Sequence, residues 1–249
     1  MHRFFLDKFE QNNGEIKIFD EEQIHQIKDV LRLKPGDEFV CFNTKGQQFL
    51  VILEQYQDNF IIGKIIQEIS AKGGSASGGK NNPEVKIKIN LSQSLLKADK
   101  FEWLIKEGTA LGIDQFTPLI TERSIVQHIS EQKLTRWRKI AQEATEQSGR
   151  VKIPTVASPI DFKNIKINAV ALNLVAHEKA KKSLKQVLPK RLPEQINLFI
   201  GPEGGFSEAE IQRIEKMGGQ SFIFGPRILR AEFAGLSIIS AIFYHCGEL

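Results

Sequence analysis

The segment Ile200-Gly-Pro-Glu-Gly-Gly-Phe-Ser-Glu-Ala-Glu210 sets three glycines, a proline and a carboxylate between an apolar run and a helix-like pattern. Strand, glycine turn and helix in that order outline a nucleotide-binding crevice, because ligands of open α/β sheets collect at the carboxyl ends of the strands. The phosphate fingerprints are missing. Gly201-Pro-Glu-Gly-Gly-Phe is not G-x-G-x-x-G, and no Lys-Ser or Lys-Thr follows it as a P-loop requires. A carboxylate at Glu203, inside the turn, would repel a triphosphate, so the loop suits a neutral or cationic ligand. Its second half has a plainer job: Ser207-x-x-Glu210 is a capping box and Phe206 can staple onto Ile211, so that part starts a helix. Gly201, Pro202, Glu203 and Gly204 are left over, since a helix needs one cap and not a rigid acidic turn.

A second glycine-proline turn lies one strand later, in Ser221-Phe-Ile-Phe-Gly-Pro-Arg-Ile-Leu-Arg-Ala-Glu-Phe-Ala-Gly235. Two strand ends thus present similar loops to one edge, and two adjacent loops make a pocket. Ile228 and Leu229 could hold a flat ring while Arg227 or Arg230 faces an anion. The same residues also read as an ordinary connection from strand to helix with surface arginines.

The elements that must carry these loops follow from the apolar pattern. The first seventy residues alternate short apolar runs with turns, as in Phe39-Val-Cys-Phe, Gln48-Phe-Leu-Val-Ile-Leu and Asn59-Phe-Ile-Ile-Gly, with turns at Pro35-Gly-Asp and Thr44-Lys-Gly, which predicts a small β-barrel domain. One helix interrupts it, capped by Asp20, with Ile24, Ile27 and Leu31 on one face and an end before Pro35. Residues 71–83 hold glycine, serine and asparagine without a large apolar side chain and are read as a linker between domains at 1–70 and 84–249. Beyond it strand and helix alternate: a strand over Val85–Leu91, a helix from about Asp99 to Leu111 ended by Gly112, a strand over Phe116–Ile120, and a helix that Ser130 caps and Gly149 ends, with Leu134, Trp137, Ala141 and Ala144 on one face. The continuous apolar runs Ala169–Ala176 and Ile196–Ile200 look like strands buried on both faces. They predict a parallel sheet covered by helices, hence an α/β domain.

Composition adds bounds. At 249 residues and 41% hydrophobic the chain can bury a substantial core, and a net charge of +4 permits an anionic partner without requiring one. Cys41 and Cys246 stand far apart with no Cys/His cluster around either, which indicates neither a disulfide framework nor a metal site and suggests a reduced, cytoplasmic setting. No apolar stretch has the length of a signal peptide core or a membrane span, so the expectation is a soluble protein with no membrane partner.

Taken together, Gly201-Pro-Glu-Gly-Gly-Phe, Phe224-Gly-Pro-Arg-Ile-Leu-Arg and Glu232 resemble the C-terminal signature of the SPOUT superfamily, specifically the bacterial 16S rRNA uracil-N3 methyltransferases known as RsmE. The resemblance extends to Val30-Leu-Arg-Leu-Lys-Pro-Gly-Asp, Leu111-Gly-Ile-Asp-Gln-Phe-Thr-Pro-Leu-Ile-Thr-Glu-Arg-Ser, Arg136-Trp-Arg-Lys-Ile-Ala-Gln-Glu-Ala-Thr-Glu-Gln-Ser-Gly-Arg150 and Ala176-His-Glu, in the family's order across nearly the whole chain. It implies a PUA-like N-terminal barrel for RNA and a methyltransferase domain whose C-terminal segment threads a trefoil knot, against the general rule that chains are unknotted. It also implies a homodimer and S-adenosyl-L-methionine held by three loops, here Val175, Ala176 and His177; Ile200, Gly201, Pro202, Glu203 and Gly204; and Phe224, Gly225, Ile228 and Leu229. The chain departs from the family pattern at Ala110, where many members have glutamate, and at Phe233, where many have threonine.

Such a cofactor carries an already activated methyl group, so the protein need only align donor and acceptor and exclude water. The uracil N3–H must lose its proton before or during transfer, and some group must accept it or stabilise the anion. Arg230 is the candidate to hold the developing anion, through paired donors to the neighbouring carbonyl oxygens. Glu232 is either the base or a carboxylate that only pins Arg230. The partner would be 16S rRNA or the small ribosomal subunit, bound chiefly through phosphates, with Arg3, Arg32, Lys34, Arg123 and Arg150 as contributors. The run Lys179-Ala-Lys-Lys-Ser-Leu-Lys reads as a solvated face. The cofactor loops alone also admit a ribose 2′-hydroxyl methyltransferase, and the fold admits a non-catalytic RNA-binding assembly protein.

Overall fold

The computed structural model describes residues 1–43, 47–69 and 84–249. The linker expected over 71–83 and the turn at 44–46 lie outside the described residues. The chain forms two compact units, Met1–Glu84 with Thr145–Ile153, and Val85–Ala144 with Pro154–Leu249. Thr145–Ile153, in the stretch assigned from sequence to the second domain, thus groups with the first.

The first unit carries β1 (His2–Phe5), β2 (Phe9–Asn12), β3 (Glu15–Ile18), α1 (Glu21–His25), β4 (Glu38–Phe42), β5 (Gln48–Tyr56) and β6 (Ile61–Ile69). They form one six-stranded sheet in the order β1-β4-β5-β6-β3-β2. Among the described residues of this sheet only β1 and β4 pair in parallel. Register shifts between Leu50 and Val51 and between Leu53 and Gln55 bend β5 against β6, as bulges do. The sheet curls around a core that includes Phe4, Ile16, Phe39, Phe49 and Val51, and the path stays open from β1 to β2, so the PUA-like barrel is a half-barrel. Asp20 caps α1 by accepting from the Glu22 and Gln23 amides, as expected, and the helix continues as a π-turn through Val30. β1, β2 and β3 escaped the sequence reading because each has only four residues.

The second unit carries β7 (Lys88–Ser94), α2 (Lys100–Leu111), β8 (Gln115–Ile120), α3 (Glu131–Ser148), β9 (Thr155–Val156), β10 (Ile160–Asp161), β11 (Leu172–Ala176), α4 (Leu184–Val187), β12 (Gln195–Ile200), α5 (Glu208–Lys216), β13 (Gln220–Phe222) and α6 (Ala231–Cys246). From Thr145 onward α3 counts with the first unit. The sheet runs β10-β8-β7-β12-β11-β13, with β9 beside β8. Every pair is parallel. This is the α/β architecture the buried apolar runs implied.

The helix boundaries follow the capping chemistry. Gly112 ends α2 in the left-handed region at φ 113, and the Ser130 hydroxyl accepts from the Lys133 amide at the start of α3. One strand is displaced: β7 starts at Lys88 rather than Val85, since its ladder with β12 opens where Lys88 faces Gln195. Its inner end is polar, Ser92, Gln93 and Ser94 all being buried, and that polarity hid it from a hydropathy reading. α6 buries Leu236, Ile238, Ile239, Ile242 and Phe243 and packs against α2, β12 and β7. No helix among the described residues is long and apolar enough to cross a membrane.

Candidate active site

Because β12, β11 and β13 lie side by side and run parallel, their carboxyl ends open on one edge. The loops leaving those ends line a cavity of about 600 Å³. Ala176 and His177 come from the first loop, Ile200, Gly201, Pro202 and Glu203 from the second, and Phe224, Gly225, Ile228 and Leu229 from the third, with Arg230 and Glu232 where the third loop becomes α6. Two expected cofactor residues stand outside this lining. Val175 is fully buried within β11, in a core cluster with Phe199 and Phe206. Gly204 turns its carbonyl to the Arg123 guanidinium at 2.9 Å.

The glycine loop is held tightly. Its turn closes by a hydrogen bond from the Gly205 amide to the Pro202 carbonyl at 2.9 Å, with Gly205 at φ 69. At Gly201 an added Cβ would stand 2.9 Å from the Phe206 nitrogen and 3.0 Å from the Gly205 carbonyl carbon, so only glycine fits. Gln93, at the end of β7, donates to the Gly201 carbonyl at 3.3 Å. The capping box of α5 is formed as expected, the Ser207 hydroxyl and Glu210 carboxylate exchanging bonds with each other's amides. Glu210 also accepts from the Glu122 amide at 2.9 Å, which ties the helix start to the segment that carries Arg123.

Two of the cavity's carboxylates are joined by a residue that the sequence reading missed. Lys100, on the first turn of α2, places Nζ 3.6 Å from Glu203 and 3.2 Å from Glu232. Glu232 therefore pairs with Lys100 and not with Arg230, which removes the alternative that it only pins the arginine. Glu232 also sits in the first turn of α6, where the helix N-terminus favours a negative charge. Arg230 is exposed at the N-cap of α6 and makes no ion pair among the described residues, so its guanidinium is free to meet a ligand. Nothing in the spacing could have linked Lys100 to a carboxylate 132 positions away.

The expected RNA contacts divide into two groups. Arg32 and Lys34 are exposed. Arg3 is half-buried, donates to Gln48 at 3.0 Å and to the Arg150 carbonyl at 3.3 Å, and rests over the Phe42 ring. Burial lowers its pKa. Arg150 is buried, with its guanidinium 2.7 Å from Glu84, so it is not placed to meet a phosphate. Burial alone would raise the Glu84 carboxyl, yet the Arg150 hydrogen bond and charge and the Val151 and Lys152 amides hold it below the usual range. In the basic run after β11, Lys179 pairs with Glu208 at 2.9 Å, as on a solvated face.

The RNA methyltransferase domain model matches residues 83–243, and the RNA methyltransferase PUA domain model matches residues 19–66. The ribosomal RNA small subunit methyltransferase E of Bacillus subtilis is 33% identical, over 98% of this chain and 96% of that protein. The chain belongs to the ribosomal RNA small subunit methyltransferase E family. Its counterpart in Mesomycoplasma hyopneumoniae is 31% identical, over 96% of this chain and 98% of that protein. The family member of Neisseria gonorrhoeae, whose crystal structure is bound to S-adenosyl methionine, superposes with a TM-score of 0.84 at 27% identity, over 98% of this chain and 97% of that one.

The two departures from the family pattern fall differently. Ala110 is exposed on α2, away from the cavity lining, whereas Phe233 follows Glu232 directly and is 52% exposed. The cavity itself suits S-adenosylmethionine: it has room for a nucleoside, an apolar side with Ile200, Phe224 and Leu229, backbone close at Gly201, and three carboxylates, Glu178, Glu203 and Glu232, of which the last two share Lys100.

Proposed function

We propose that the protein methylates N3 of one uridine of 16S rRNA in the small ribosomal subunit, at the position numbered 1498, using S-adenosyl-L-methionine. The observation that carries this reading is the convergence of three strand-end loops on one cavity that also holds Arg230 and Glu232. When bound, the cofactor supplies an electrophilic methyl group on a sulfonium. Ala176, His177, Ile200 to Gly204, Phe224, Gly225, Ile228 and Leu229 form its wall, Gly204 through the loop's shape rather than by direct lining. Arg230, unpaired and facing the cavity, holds the negative charge that develops on the uracil carbonyl oxygens as N3 loses its proton. Glu232, in the same cavity, accepts that proton.

A uridine with its N3 hidden in structured RNA must be extruded to reach this edge, which costs least for an unpaired base. Arg32 and Lys34 meet phosphate on the first unit. A homodimer and, because the substrate is ribosomal, a cytoplasmic setting complete the reading. Incubation with labelled cofactor and small subunits from cells lacking this methylation, followed by mass spectrometric mapping, tests it. Label on a ribose would favour the 2′-hydroxyl alternative, and absence of label would favour a non-catalytic binder.

A further inference from the structure

We infer that Lys100 sets the charge of the inner cavity wall, and through it how strongly the protein prefers the sulfonium donor over the neutral thioether left after transfer. The inference rests on the functional reading above and concerns a residue to which that reading gives no role.

Lys100 bridges two carboxylates from separate elements, Glu203 in the loop after β12 and Glu232 on the first turn of α6. Two carboxylates and one ammonium leave this wall with one excess negative charge. The three side chains are 34%, 32% and 13% exposed, so water screens them less than it screens the exposed Arg227 and Arg230 on the opposite loop. His177 and Glu178 complete the titratable lining.

The donor and its product differ by one methyl group and one positive charge, and both carry the same adenosine and amino-acid portions. The ratio of their dissociation constants therefore cancels most contacts and reports the local potential at sulfur. Without Lys100 the wall carries two unbalanced negative charges, and the cation gains relative to the thioether. Loss of the Glu203 charge has the opposite sign. Lys100 thus moderates a preference that would otherwise be stronger, keeping the donor exchangeable while the product leaves more readily than the donor.

The test is calorimetric titration of the full chain with S-adenosylmethionine and, separately, S-adenosylhomocysteine. At about 6 Å and an effective dielectric of about 40 to 80, one charge changes a binding ratio by roughly threefold to tenfold. Lys100→Gln is expected to raise the preference for the sulfonium by that factor, Glu203→Gln to lower it by a similar one, and Lys100→Arg to restore the wild-type ratio. Added salt should shrink both shifts. If the wild type binds both ligands and neither variant moves the ratio by twofold, or both move it the same way, the role of Lys100 is refuted while the cavity assignment stands. If the wild type binds neither ligand, the cavity assignment itself fails. Should Lys100→Gln not fold, Glu203→Gln decides the matter, because an unchanged ratio there removes the charge effect on which the inference depends.

Discussion

The two glycine-proline loops that face each other across the cavity are held in opposite ways. The loop after β12 is fastened from three sides: Gln93 on the Gly201 carbonyl, Arg123 on the Gly204 carbonyl and Lys100 on the Glu203 carboxylate. The loop after β13 is anchored at its ends, by the Ile223 amide on the Lys182 carbonyl and by the first turn of α6. Between those ends, Phe224 to Leu229 make no hydrogen bond or ion pair among the described residues, and Ile228 is 89% exposed. One wall is built before a ligand arrives, and the other has polar groups and an apolar side chain still to place. A rigid wall suits a cofactor of constant shape, since ordering costs have already been met in folding, while the looser wall carries the arginine that must meet an incoming base.

The sharpest way to break this division is Arg230→Ala. Loss of a fixed donor to a developing anion should lower the transfer rate by about a hundredfold or more, with the dissociation constant of the cofactor changed less than about threefold. Single-turnover rates and calorimetry separate the two, and equal losses in both would place Arg230 in the rigid wall instead. Gly201→Ala attacks that wall directly. The added Cβ must push on the Phe206 nitrogen and the Gly205 backbone, so a loss of about 1–3 kcal/mol in denaturant unfolding and at least tenfold weaker cofactor binding are expected. A variant as stable and as tight as the wild type would show that the loop can shift.

Arg123→Ala removes one fastening and should weaken cofactor binding by roughly threefold to tenfold, the loss of one charge-assisted hydrogen bond at a partly exposed site. Its affinity for RNA and the salt dependence of that affinity should barely change; a lowered salt slope would return Arg123 to the phosphate contacts that its sequence suggested. Gly225→Ala, in the looser wall, should have the smallest effect on cofactor binding. Its Cβ would meet nothing within 4 Å, and the cost is confined to about 1–2 kcal/mol for a residue at φ 77. A stability loss within that range and smaller than that of Gly201→Ala, with cofactor binding left as in the wild type, keeps the two walls distinct.

The same contrast explains what could be read from the chain. Capping residues act within a few positions, so Asp20, Ser130, Gly112 and the Ser207/Glu210 box were legible and stand where expected. The parallel sheet was legible in the buried apolar runs of β11 and β12. The short strands β1 to β3 were not, because four residues carry too little pattern. In the site, glycines, prolines and the arginine of the loops identify themselves by type, and the family resemblance supplied their roles. The fastenings of the rigid wall were hidden because they act across folds of the chain: Gln93 lies 108 positions from the carbonyl it holds, and Arg123 lies 81. Arg150 shows the converse. Its type and motif suggested phosphate, and only burial beside Glu84 reveals a structural ion pair.

The central claim is transfer to N3 of a 16S rRNA uridine, and the most direct measurement follows labelled methyl from S-adenosylmethionine into small subunits that lack this modification. The account predicts label on the uracil base at N3, lost with Arg230→Ala while cofactor binding persists. Label on a ribose hydroxyl, or no label with intact cofactor binding, would contradict it.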